Sequence, residues 1–420
     1  MARFTRAGAV VGALTLVASL ALTGCGDEQK NPEFVGGTGP SASAEPGTAE
    51  PTAPAAPSGP ALTLSPGDGT KNKPVSTEIS AKLPDGAKVS TVTLTAASGG
   101  AVAGKLRTDG SAWVPSAPLK YGTKYTATVT ATGADGTSSQ GTSSFTTMAK
   151  PRSTIGSGLY LFDDKSYGVA MPVVTEFHPG IPKKDRAAVQ KRMFVRTDPP
   201  QPGAWHWVDN GTQAYYRAKE YWQPGTTITV RIALAGVPLS NGRYGDVDRK
   251  ATAKIGRSFV MKVDNATKKM SVYENGALVR TVPVSLGKRS TPSSSGTMVV
   301  MEKKESTTFD TRDDPDPANR YVTEIDFAQR LTWGGEYIHA APWSEHVQGR
   351  QNVSHGCVNV SMANARWLFS KTRIGDPITV KGTERRLAAG NGWTAWSLSW
   401  SEFVKGSALP VPAGGSGPAL

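Results

Sequence analysis

Cysteine is nearly missing from this chain: only Cys25 and Cys357 occur in 420 residues. A disulfide framework is therefore excluded, and the single conceivable bridge would join a Pro-, Ala- and Ser-rich stretch to residue 357. Long apolar runs are missing too. The most apolar stretch, Ala7 to Leu22, is too short for a bilayer span. Acidic residues are outnumbered, leaving a net formal charge of +13, yet the Lys and Arg residues form no clustered basic helix. Few aromatic residues alternate with them, so no nucleic-acid partner is expected, and an anionic matrix or plain solubility accounts for the charge. The carboxylates lack the Gly-centred spacing of a calcium loop. Asp246 and Asp248 read as a loop pair, and Asp310, Asp313, Asp314 and Asp316, interrupted by Pro315 and Pro317, read as a polar loop. No metal site follows.

Arg3 and Arg6 ahead of the Ala7–Leu22 run give residues 1–24 the layout of a secretory signal. Leu22-Thr23-Gly24-Cys25 resembles the lipobox of bacterial lipoproteins. That resemblance implies that Cys25 becomes the lipid-bearing N-terminus, on the extracytoplasmic face of the cell membrane. Residues 25–60 are Pro, Ala, Gly, Ser, Thr and Glu with almost no large apolar side chain, which predicts a disordered tether. With Cys25 committed to lipid, Cys357 stands as a single exported thiol, and such a thiol wants an explanation.

The fold is predicted to be mainly β. Residues 61–148 show short alternating runs, such as Val89 to Leu94 and Tyr125 to Thr130, punctuated by Asp85-Gly86, Asp109-Gly110 and Asp135-Gly136; this is the pattern of an immunoglobulin-like β-sandwich. Residues 149–254 read as a second such domain. Its Trp205, Trp207, Tyr215, Tyr216, Tyr221 and Trp222 are expected in core and interdomain packing, and His206 among them as structural. Residues 255–382 open with strands around Phe259 to Val263 and Met270 to Tyr273, a hairpin at Asn275-Gly276, and a mostly antiparallel sheet. The Phe309 to Arg320 segment reads as a polar loop, which would be a lid if placed over the site. Ser361 is placed to cap a helix over Met362 to Lys371, with Ala365, Leu368 and Phe369 as its apolar stripe. A Trp-rich segment (383–408) and a flexible tail (409–420) complete the chain.

Chemistry concentrates at Ser354-His355-Gly356-Cys357-Val358-Asn359, read with Tyr337-Ile338-His339-Ala340-Ala341-Pro342-Trp343 upstream. A thiol with its ordinary pKa of about 8.5 needs a neighbouring base to attack near neutral pH. His339 and His355 are the two candidates. Gly356 permits a tight approach, so amides around Gly356 and Cys357 are expected to face a developing oxyanion.

This pair of segments resembles the signature of the L,D-transpeptidases that cross-link bacterial peptidoglycan, and the resemblance reaches loosely through both β modules. It implies Cys357 as nucleophile and His339 as general base, oriented by the carbonyl of Ala340, where many relatives carry serine. His355, Gly356 and Ser354 then shape the site. Tyr321, Gly334, Gly335 and Asn359 are implied to bind substrate, with Gly334-Gly335 as a short strand segment along the peptide. The implied substrates are tetrapeptide stems of peptidoglycan, both donor and acceptor, with no cofactor and a monomeric enzyme. An L,D-carboxypeptidase and an inactive wall-binding lipoprotein are the alternatives; a sortase-like enzyme also uses Cys and His, but with a catalytic Arg and a different local motif.

Overall fold

The computed structural model describes residues 59–313 and 316–411. The signal and lipidation readings, including Cys25, almost all of the tether, Asp314-Pro315 and the tail from residue 412 lie outside the described residues.

The first sandwich forms because alternating Thr and Val residues present one apolar face per strand. Its five-stranded sheet runs in the order Thr70–Lys73, Ser138–Thr147, Lys124–Thr132, Lys88–Ala96, Ala101–Val102. Leu94, Trp113, Tyr125, Val129 and Phe145 fill its core. The Tyr125 hydroxyl accepts the Lys120 N–H at 2.9 Å, the corner contact of immunoglobulin-like sandwiches.

The second sandwich faces a five-stranded sheet centred on Val173–His178 with a four-stranded one centred on Asp248–Ile255 and Thr227–Ala233. The six aromatics named from the sequence lie in or against its core. His206 Nδ1 donates to the Phe403 carbonyl at 2.8 Å and the imidazole stacks on the Phe403 ring, so it is structural.

The third group carries the site. A six-stranded sheet holds Ala277–Pro283, Lys269–Glu274, Phe259–Asp264, Pro377–Lys381, Ser294–Val299 and Arg385–Arg386 in that order. Beside it a four-stranded sheet holds Glu302–Asp310, Val322–Arg330, Tyr337–Ala340 and Val358–Val360. Phe259, Val272, Met298, Ile338, Val358 and Leu368 join the two across one core. The helix spans Met362–Lys371, and Ser361 Oγ accepts the Asn364 N–H at 3.2 Å. Pairing in these sheets is mostly antiparallel, as expected, with parallel exceptions where Phe259–Asp264 meets Pro377–Lys381 and Tyr337–Ala340 meets Val358–Val360. One expectation changes. Phe309 and Asp310 belong to a nine-residue strand hydrogen-bonded to Val322–Arg330, so the polar loop is only the tip of a hairpin.

The Trp-rich segment is welded to the second sandwich by Arg217, which is 2% exposed. Its guanidinium donates to the carbonyls of Ala395 at 3.0 Å and Leu398 at 2.9 Å on one side, and of Ala218 and Lys219 on the other. Phe403 and Trp396 stand 4.3 and 4.4 Å from its carbon, giving the buried cation aromatic faces in place of water. Arg217→Ala leaves those carbonyls unpaired and is expected to cost about 3 kcal/mol. Denaturant unfolding and protease cleavage within residues 383–408 measure this; an unchanged midpoint and an uncut segment would show that the weld lies elsewhere.

Candidate active site

Parallel pairing of Tyr337–Ala340 with Val358–Val360 sets Ile338 opposite Val358 and His339 opposite Asn359. Residues opposite each other share a face, so His339 and Asn359 side chains are neighbours, and Cys357 enters at the edge of the same pair. A cavity of about 420 Å³ opens there, lined by Phe309, Tyr321, Ile325, Trp343, His339 and Cys357 among others. Ser354, His355 and Asn359 also reach it.

His339 is buried, and its Nδ1 lies 2.8 Å from the carbonyl of Ala340. A carbonyl only accepts, so Nδ1 carries the proton and Nε2 is left as the basic nitrogen. The expected orienting contact is therefore made by backbone alone. Phe309 meets the imidazole edge-on at 5.7 Å and Trp343 lies at 6.0 Å. In this apolar surrounding burial holds the imidazole pKa down to about 4.

Burial also pushes the Cys357 thiol up to about 12, with the neighbouring Glu336 charge acting the same way and the Tyr337 amide only partly offsetting them. The S–H points to the Gly335 carbonyl at 3.7 Å. Both shifts favour uncharged forms, so the resting pair is thiol and imidazole. A preformed thiolate is not what this site stores.

The loop before Cys357 is held from within. Ser354 Oγ donates to the Cys357 carbonyl at 2.7 Å and accepts the Gly356 N–H at 3.1 Å, while Ser293 Oγ donates to the Gly356 carbonyl at 2.7 Å. Gly356 has φ of 129°, which a side chain would strain. Of the two amides expected to face an oxyanion, Gly356 is thus engaged by Ser354. Cys357 N–H has no acceptor among the described residues and is the donor that remains.

His355 is exposed, its Nε2 lies 3.0 Å from Lys288 Nζ, and its ring tilts against Tyr321 at 5.1 Å. An ammonium only donates, so that nitrogen is occupied as an acceptor and His355 is not poised as the base. Gly334 and Gly335 form a turn between strands, not a strand. Gly335 has φ of 90°, which breaks extended pairing, and Asn391 Oδ1 accepts the Gly334 N–H at 2.7 Å. The turn still reaches Cys357 through the Gly335 carbonyl. Asn359 Nδ2 donates to Ser344 Oγ at 3.3 Å. Sequence reasoning missed Glu336, Ser344, Lys288 and Asn391; none carries a local motif. Among the described residues no group of three or more His, Cys, Asp or Glu converges to hold a metal ion.

Residues 258–380 match the model of the L,D-transpeptidase catalytic domain, and residues 70–238 that of a bacterial Ig domain. The chain is similar to L,D-transpeptidase 2 of Mycobacterium tuberculosis, 32% identical over 83% of this chain and 85% of the relative. It is similar to L,D-transpeptidase 5 of the same species, 34% identical over 85% and 79%. Among solved structures, an L,D-transpeptidase in complex with imipenem is 31% identical with a TM-score of 0.46, covering 55% of this chain and all of that one.

The neutral pair has a measurable consequence. With the thiol pKa pushed well above its ordinary value, only a trace of thiolate is present at pH 7. Iodoacetamide should therefore alkylate the Cys357 peptide slowly at pH 7, with a rate still climbing past pH 9. Acylation that uses His339 as base instead needs only neutral imidazole, which is the form present above about pH 4, so its acidic limb should fall well below 6.5. An alkylation rate that levels off near neutrality would establish a thiolate–imidazolium pair instead.

Proposed function

Since the chain belongs to the family of L,D-transpeptidases, enzymes of peptidoglycan cross-linking, we propose that it joins two peptide stems through a thioester on Cys357. Cys357 Sγ attacks the carbonyl linking the diamino acid to the terminal D-alanine of a tetrapeptide stem. As the C–S bond forms, the thiol proton passes to His339 Nε2. The developing oxyanion is met by the Cys357 N–H, with Tyr321 across the cavity. Collapse breaks the C–N bond, and His339 returns its proton to the departing D-alanine amine.

The side-chain amine of a second stem then attacks the thioester, and His339 Nε2 takes its proton. The C–S bond breaks and the sulfur is reprotonated. One amide has been exchanged for another, a 3→3 cross-link, with no redox change and no cofactor in the balance. The observation that carries this reading is the His339 Nδ1 contact with the Ala340 carbonyl, because it leaves Nε2 basic in the cavity shared with Cys357. Phe309, Ile325, Trp343 and Val353 make much of the cavity wall apolar, which supports an amine acceptor over water. We also assign the enzyme to the outer face of the cell membrane, held by a lipid on Cys25 and acting as a monomer.

Cys357→Ala is expected to abolish D-alanine release while changing folding stability by no more than about 2 kcal/mol. Loss of the fold would mark a structural cysteine. Incubated separately with tetrapeptide and pentapeptide disaccharide stems, the enzyme should release D-alanine and form dimers from the tetrapeptide only, and a carbapenem should acylate Cys357. Faster cross-linking from the pentapeptide would overturn the L,D assignment, and release without dimers would indicate a carboxypeptidase. Cys25→Ala should move the protein from the membrane to the soluble fraction; retention by detergent phases would indicate an uncleaved apolar helix.

A further inference from the structure

Granted the donor-stem chemistry above, on which this rests, we infer that Arg385 binds the free carboxylate of the departing amino acid, and that Glu336 holds the guanidinium in place for it. Arg385 lies beyond residues 258–380, the stretch matching the catalytic-domain model, on a two-residue strand parallel to Ser294–Ser295. Its side chain is 48% exposed, whereas the Glu336 side chain it pairs with is 7% exposed. The Glu336 carboxylate also receives the Ser294 N–H at 3.1 Å and the Ser294 hydroxyl at 2.7 Å. A carboxylate fixed by those donors gives Arg385 one defined anchor through Nη2. The other N–H groups of the guanidinium have no acceptor among the described residues. Guanidinium carries five donors in a planar fork suited to a second carboxylate.

The ion pair stands beside Gly356, next in the chain to the reacting thiol. A Cβ built on Gly356, the residue before the nucleophile, would lie 3.7 Å from both Arg385 Nη2 and Glu336 Cγ. In the donor stem the scissile carbonyl carbon and the terminal carboxylate carbon are separated only by N and Cα, hence by about 3 to 4 Å. With the carbonyl at Cys357 Sγ, the carboxylate falls within reach of that shoulder. Without Arg385, buried Glu336 would repel it. Lys288, the other cation named at the site, already directs its ammonium at His355. Arg385 thus supplies both the neutralising charge and the free donors.

The test uses the full-length protein with two donor stems, one ending in D-alanine and one in D-alaninamide. Arg385→Ala should raise KM for the carboxylate stem about 10- to 100-fold with kcat little changed, because the contact is made equally in ground and transition states. The amide stem should bind poorly to the unaltered enzyme and lose little more in the variant. Arg385→Lys should recover part of the loss, and Glu336→Gln, which loosens the anchor, should give a smaller rise. An equal loss on both stems would reduce Arg385 to a structural part and overturn the assignment, as would no change on either. Failure of the unaltered enzyme to release D-alanine would instead overturn the donor-stem reading beneath it.

Discussion

Everything at this site depends on one parallel strand pair. Tyr337–Ala340 and Val358–Val360 are separated by a long excursion through Ala341 to Cys357, and their register alone decides that His339 meets Asn359. A slip of one residue would turn His339 to the opposite face and leave the thiol without a base. The register is locked on both sides: Asn359 exchanges hydrogen bonds with Ser285 at 2.9 and 3.0 Å, and the Ala341 N–H bonds the Val360 carbonyl at 2.8 Å. Ile338, Val358 and Val360 beneath it are essentially excluded from water. A short strand pair is weak alone, but apolar burial on one face and hydrogen bonds on its outer edge give it a single alignment.

That burial has an electrostatic consequence. The low-polarity surroundings which fix the register also disfavour charge on both reacting groups, raising the thiol and lowering the imidazole. On the mechanism proposed above, attack and proton transfer then proceed together, and the charge that develops is met by donors already in place, chiefly the Cys357 N–H. A neutral resting thiol is also protected from adventitious oxidation and alkylation, which proceed through thiolate. For an unpaired thiol this reserve is consistent with a nucleophile used only when a well-placed carbonyl arrives.

Local signals were legible and long-range ones were not. Ser361 capped the helix it was expected to cap and Asn275-Gly276 closed a hairpin, because each rests on a few adjacent residues; the histidine and cysteine segments were each legible as motifs, while the parallel pairing that joins them was not. The Glu302–Asp310 and Val322–Arg330 hairpin went unread since Asp and Pro near its tip carry a loop composition, while the pairing that makes it a strand lies in the partner. Glu336 reads in sequence as an ordinary surface carboxylate; only the fold brings Ser294 and Arg385 to it. The same holds for Arg217, whose partners lie some 180 residues away, at Ala395 and Leu398. Gly334-Gly335 was identified as part of the site but with the wrong backbone, because a glycine pair is compatible with either a strand or a turn.

The distant anchoring of Arg217 also explains why a Trp-rich segment should accompany this catalytic domain. Once Trp396 and Phe403 close over Arg217, the preceding residues are fixed in turn: the Tyr215 hydroxyl of the second sandwich bonds the Gly392 carbonyl at 3.0 Å, and the adjacent Asn391 side chain holds the Gly334 N–H. Gly335 follows, with its carbonyl on the Cys357 thiol. An unsupported glycine pair would sample many backbone states, and about 1 Å of misplacement can cost 100-fold in rate. The second sandwich therefore does more than separate the catalytic domain from the chain's N-terminus. Through the C-terminal segment it restrains the Gly334-Gly335 turn beside Cys357, so that the geometry of this turn is set by a core built largely from another domain.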